Sequence, residues 1–199
     1  MTLLKQQLGT SFGDVHFGVH RSTRYHITRQ RHFETVSRVV SFLIIVISAL
    51  WGAVILEWGE QGLIWYKFGG PVAVILLSAL DMIYSPSAMA ATHKMLAQQF
   101  NQLDMKMIAS EKTDEMASSF QRQRQEIEAS EPPSFPVVSI MSQNELCHAI
   151  GCTDDIYHVG GFHRIFCHWI KSVSKPWILK SEYESNKRGI QKTEVFTSA

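Results

Sequence analysis

"VVSFLIIVISALWGAVIL", residues 39–56, contains no ionisable side chain and is bracketed by Arg38 and Glu57. As a helix rising about 1.5 Å per residue, it spans close to the roughly 30 Å hydrocarbon thickness of a bilayer. A core helix of a soluble protein normally keeps a polar stripe on one face, and this stretch has almost none. It reads as a membrane span; the alternative is one arm of a helical hairpin buried in a soluble protein. A second apolar run extends from about Leu63 to Tyr84, with Trp65, Tyr66 and Lys67 at its near edge, Pro71 near its first turn and a single carboxylate, Asp81, towards its far end. It reads as the second span of a short-looped hairpin.

The flanking charges orient that hairpin. Lys5, Arg21, Arg24, Arg29, Arg31 and Arg38 precede the first span against only Asp14 and Glu34, whereas the connection "EWGEQGLIWYK" carries two glutamates and one lysine. The excess of cations places both termini in the cytoplasm, and in a bacterium the membrane is then the inner one. The first long apolar run starts too far along the chain, and is too long, for a cleaved signal peptide. Cys147, Cys152 and Cys167 fall on the reducing side, so a disulfide framework is not expected. With a formal net charge of +1 over 199 residues, direct nucleic-acid binding is not expected either.

Six parts follow from the pattern. Residues 1–14 form a flexible N-terminus in which Gly9 and Gly13 oppose helix; order is expected from Val15. Residues 15–38 form a basic, aromatic cytoplasmic helix running directly into the transmembrane hairpin of 39–84. Residues 85–130 are almost free of helix breakers and rich in Ala, Met, Gln, Glu, Lys and Arg, which predicts one long cytoplasmic helix. On it, Leu96, Phe100, Leu103 and Met107 alternate at spacings of four, three and four, the seam of a helix that packs against residues 15–38 of the same chain or against another subunit. "EPPSFP", residues 131–136, breaks the helix. A small helical region, 131–170, and a basic tail, 171–199, complete an all-α membrane protein.

Few constellations carry chemistry. An ionisable side chain inside a span is costly unless it meets a partner, a bundle interior or water. Asp81 is therefore read as one half of an ion pair near the inner interface, with Arg38 as counterpart, or as a cation-attracting group in an ion pathway. Arg21, Arg24, Arg29 and Arg31 form a candidate cytoplasmic basic surface, serving lipid attraction or the intake of a phosphate-containing ligand. Ser41, Ser48, Ala49, Gly52, Ala53, Ser78 and Ala79 allow close helix approach without choosing between hairpin and subunit contacts. Cys147, His148, Cys152, His158, His163, Cys167 and His168 include enough donors for zinc but no CxxC pair, so no metal is expected there. His16, His20, His26 and His32 have no visible partner carboxylates and read as polar helix-face residues. Walker and dinucleotide glycine signatures are absent. Neither an enzyme nor a cofactor is expected.

"YHITRQRHFETVSRVVSF" (25–42), "LSALDMIYSPSAMAATHKMLAQQF" (77–100) and "EASEPPSFPVVSIMSQNELCHAIG" (128–151), set around a two-span hairpin, resemble the SLATT group of bacterial two-transmembrane proteins over about residues 17–170. Tyr25, His26, Arg29 and Phe33 look like that group's basic-aromatic leading helix. Asp81 looks like its acidic position ending the second span, and His93 like the histidine opening the following helix. Glu131, Pro132, Asn144, Glu145 and Leu146 look like its acidic-proline step and downstream helix. The resemblance implies a homo-oligomeric pore in the lipid bilayer, acting in anti-phage defence. It also implies a nucleotide second messenger or a nucleotide-related regulatory protein as trigger. The rival expectation is a non-conducting, membrane-anchored scaffold or sensor for a cytoplasmic partner.

Overall fold

The computed structural model describes residues 11–58, 64–152, 155–169 and 177–185. Six helices follow in order: α1 (Phe12–Trp58), α2 (Ile64–Tyr84), α3 (Pro86–Ile108), α4 (Asp114–Glu128), α5 (Pro136–Ile150) and α6 (Gly161–Ile165). No strand occurs among the described residues; Tyr157 and Leu179 form an isolated antiparallel bridge. The expected all-α class holds. The outer connection at 59–63, the first ten residues and the tail beyond 185 lie outside the described residues, as do the side chains of Trp65, Tyr66 and Lys67.

Helix α1 starts earlier than expected, at Phe12, because Asp14 and Val15 donate their amides to the Ser11 carbonyl and Val15 is already core. It then continues through residue 58 without proline, joining the basic segment to the apolar one as the sequence predicts. Pro71 falls in the interior of α2 and not in its first turn, so the ladder bond its missing N–H would make is lost there. At the next junction Ser85 adopts φ 40°, a left-handed conformation that non-glycine residues rarely take. Two hydrogen bonds hold it: Ser85 N to the Asp81 carbonyl at 2.8 Å and Ser85 Oγ to the Met82 carbonyl at 2.6 Å. Pro86 then opens α3.

The chain clusters into two compact units, residues 29–94 and residues 1–28 with 95–199. In the second of these, Val15 and Val19 of α1 meet Phe100, Leu103 and Met107 of α3 and Phe120 of α4, with Phe12, Met116 and Ile127 packed around them. This core corrects the expected uninterrupted helix over 85–130. In a straight helix Met107 and Phe120 would lie about 20 Å apart, yet both belong to one cluster. The chain turns at 109–113 instead. Ser110 Oγ bonds the Met107 carbonyl at 2.9 Å, Thr113 Oγ1 accepts from Met116 N at 3.3 Å, and Asp114 and Glu115 favour the new N-terminus.

A second cluster joins Tyr25 to Val137, Val138 and Cys167, with Phe135, Met141, Val159 and Trp177 against it. "EPPSFP" separates α4 from α5, and Gly151 at φ 77° closes α5 with left-handed capping bonds. Part of the basic tail has regular structure: Leu179 bridges Tyr157, and residues 180–185 are helical. Phe100 is fully buried and stacks on the His26 ring, with centroids 5.5 Å apart. Phe100→Ala is expected to cost about 3–5 kcal/mol of stability in denaturant unfolding of the detergent-solubilised protein, whereas exposed Met105→Ala changes it by less than about 0.5 kcal/mol.

Candidate functional site

The apolar run of α1 after Arg38 and that of α2 lie outside the two core clusters. The most apolar window on the first helix is 0% buried and that on the second 6%. Phe42, Ile45 and Leu50 on α1, and Ile75, Leu80, Met82 and Ile83 on α2, are all exposed. Both helices are long and apolar enough to cross a membrane by length and composition. Where the two helices touch, the Trp51 indole lies against Gly69 and Gly70; a β-carbon at Gly70 would overlap the ring, so the contact requires glycine.

Asp81 sits one turn before the end of α2, and its Oδ1 is shielded from solvent without a hydrogen-bond partner. The expected pairing with Arg38 does not form among the described residues. Arg38 is exposed and lies 3.6 Å from Glu34, its i−4 neighbour on α1. That pairing needs no tertiary geometry and orders only two side chains on one helix face, so it competes effectively with a partner on another helix.

The four arginines do not make one surface. Arg29 is 3% exposed and stacks over Phe33, 4.5 Å from the ring centroid. Arg21 is half-buried; desolvation and the neighbouring Arg124 lower its pKa, while Glu128 and Glu131 oppose that shift. It lines a cavity of about 200 Å³ together with Tyr25, Glu128 and Glu131. The carboxylates thus share the surroundings of its guanidinium with the like charge of Arg124. Arg24 is half-buried, and of the four only Arg31 is exposed.

The residues that carried the family resemblance have structural partners. His26, 0% exposed, reaches Glu131 at 3.0 Å, which places a proton on Nε2 for the carboxylate to accept. Tyr25 Oη accepts from the Phe135 amide at 3.0 Å, so this helical turn grips both ends of the proline segment. Phe33 stacks on His93 at 5.6 Å. Asn144 brackets the Tyr157 backbone with two hydrogen bonds of 2.8 and 2.9 Å, and Leu146 is buried. The seam of Leu96, Phe100, Leu103 and Met107 is buried within the chain, and Phe100, Leu103 and Met107 pack against Val15 and Val19 of α1.

Sequence reasoning missed Asp104. His16 and His20 do have a carboxylate partner: their Nε2 atoms lie 2.8 and 3.4 Å from Asp104 Oδ1. The two histidines at i and i+4 were the available signal. The C-terminal donors, by contrast, do not converge. Cys147 and Cys167 are buried, Cys152 is exposed, and His158 stacks on Tyr183 at 3.6 Å. Burial, then the charges of Asp155 and Cys152, push the Cys147 thiol up. The chain matches no protein-family model, no curated protein and no solved structure.

Thiol alkylation at neutral pH is expected to label Cys152 rapidly and Cys147 and Cys167 only on unfolding, as mass spectrometry of the labelled chain would show. Burial, followed by the charge of Arg29, lowers the His32 pKa. Its stabilising contribution is therefore complete above the unfolded value of about 6.5 and is lost as pH falls through the folded value. Thermal unfolding is expected to shift to lower temperature between pH 7 and pH 5, with a shallower slope in His32→Gln.

Proposed function

We propose that this chain is an oligomeric membrane effector of a bacterial anti-phage system. In this reading α1 and α2 cross the inner membrane as a hairpin with both termini cytoplasmic, several copies line an ion path, and a trigger acting on the cytoplasmic helices opens it. The observation that carries the reading is the exposure of two long apolar helical stretches that contribute nothing to the core clusters. Such a surface needs lipid or protein to cover it.

Asp81 supports assembly. Its shielded, unbonded Oδ1 is costly in an isolated hairpin. A shift of α2 on assembly that opens Oδ1 to a polar group of a neighbouring copy, or to water in a path between copies, removes that cost. A single pair of helices cannot enclose such a path, so conduction requires several chains. The resemblance to the SLATT group supplies the defence context and a nucleotide-linked trigger. The effect is depolarisation, not bond chemistry. A trigger opens the assembly only if it binds the open and closed arrangements with different affinity.

The test follows membrane potential with a voltage-sensitive dye in bacteria after induced expression, with and without phage challenge, comparing wild type and Asp81→Ala at matched membrane abundance. Wild type is expected to depolarise the cells and Asp81→Ala to leave them polarised. A correctly inserted wild type that preserves the potential under both conditions overturns the conducting reading and favours the scaffold.

A further inference from the structure

The first turns of α1 bring His16 and His20 onto one face, and α3 lays Asp104 across them. The three atoms that meet are His16 Nε2, His20 Nε2 and Asp104 Oδ1. Their separations are 2.8 Å between His16 and Asp104, 3.4 Å between His20 and Asp104, and 3.1 Å between the two imidazoles. All three residues belong to one compact unit, beside the cluster of Val15, Val19, Phe100, Leu103 and Met107.

We propose that His16, His20 and Asp104 bind a divalent transition-metal ion that staples the start of α1 to α3. The distances suit that role. Donors about 2.1 Å from a common metal are about 3.0 Å apart in octahedral and about 3.4 Å apart in tetrahedral coordination. The observed separations span that interval. They define a triangle with a circumradius of about 1.8 Å, so an ion about 2.1 Å from every donor sits about 1 Å above their plane. That is the facial arrangement of a two-histidine, one-carboxylate site.

Hydrogen bonding alone serves this cluster poorly. Asp104 Oδ1 is shielded from solvent and makes no hydrogen bond of acceptable geometry, although His16 Nε2 is 2.8 Å away. The nitrogen and oxygen therefore approach each other without a proton aligned between them. If one imidazole donates to the other along the 3.1 Å contact, the carboxylate oxygen still lacks a donor. An ion above the plane satisfies all three lone pairs together. Burial, partly opposed by Asp104, lowers the His20 pKa. The charges of His16 and Arg24 act in the same direction on His20, and Arg24 also works against cation affinity.

The donor set narrows the ligand. Two imidazoles and one carboxylate suit Zn²⁺, Mn²⁺, Fe²⁺, Co²⁺ or Ni²⁺, whereas Ca²⁺ and Mg²⁺ prefer oxygen ligands throughout. The histidine side chains are 33% and 40% exposed and the aspartate 16%. Water can thus complete the coordination, and the ion can exchange with solvent. Occupancy would tie two helices through three side chains in place of a loose polar contact. It would also stabilise the folded chain by binding it in preference to the unfolded one.

The experiment uses the full chain in detergent, stripped with chelator and titrated with Zn²⁺ and Co²⁺ by calorimetry, absorption and thermal unfolding. One equivalent per chain, a raised unfolding temperature reversed by chelator, and a Co²⁺ spectrum with nitrogen and oxygen ligands but no thiolate charge-transfer band are expected. Asp104→Asn and His16→Asn should each weaken binding by at least about tenfold, while Cys152→Ser should leave it unchanged. Absence of stoichiometric binding by the wild type overturns the proposal and leaves a proton-sharing polar cluster. A thiolate band, or undiminished affinity in the folded His16→Asn/Asp104→Asn protein, overturns it by placing the metal elsewhere. Wild-type stoichiometry and spectrum decide the matter even where a variant fails to fold. They are independent of whether the assembly conducts ions.

Discussion

The constraint on which the rest of the structure depends is that α1 supports two different environments along one uninterrupted helix. Between Val15 and Phe33 its buried side chains include Thr23, His26 and Arg29, all polar, set among apolar ones. After Arg38 the helix carries apolar side chains on every face, and none of those described, up to Val54, is fully buried. A helix of 47 residues is about 70 Å long, more than twice the thickness of a bilayer core. Its polar half packs against other segments of the chain, whereas its apolar half leaves most of its described side chains exposed or half-buried.

The polar half meets that requirement with pairs of groups, each tied to a particular backbone segment. Tyr25 and His26, adjacent in sequence, hold the Phe135 amide and the Glu131 carboxylate, so one turn of α1 fixes both sides of a proline-rich connection that has no helical hydrogen bonds of its own. Asn144 does similar work for α5, offering donor and acceptor to Tyr157 as a neighbouring strand would. Removing one member of such a pair leaves the other buried and unsatisfied, which costs more than the net gain of the bond. These are the residues that drew attention as a family-like pattern, and their visible task is to set the path of the chain.

Much of this was legible in one dimension. The two apolar runs, their direct continuation from a polar helix, the break at "EPPSFP" and the four-three-four seam depend on local composition and period, which sequence records directly. Tertiary choices were harder. The turn at 109–113 has neither proline nor glycine; its only local signs are the polar run around Thr113 and the acidic first turn that follows. Arg38 had two carboxylates to choose between, and the local one, Glu34, won. Asp104 lies more than eighty residues from the histidines it meets, and helical spacing alone cannot announce such a partner. The basic character of residues 21–31 was plain, but the burial of Arg29 depended on aromatic packing that charge counting ignores.

The turn at 109–113 has a consequence for assembly. By folding α4 back, the chain uses Phe120 to cover the very stripe that would otherwise have offered itself to a second copy. Leu96, Phe100, Leu103 and Met107 are all buried within the chain. Contacts between copies, where they form, must draw on surfaces that remain uncovered. Among these are the exposed apolar residues of α1 and α2, and Asp81 lies on α2 with a shielded oxygen still lacking a hydrogen bond. Apolar side chains gain little by exchanging lipid for one another, whereas an intramembrane carboxylate gains a great deal from a polar partner. In an assembly of the proposed kind, the specificity of subunit pairing therefore rests on the region around Asp81 more than on the hydrophobic area surrounding it.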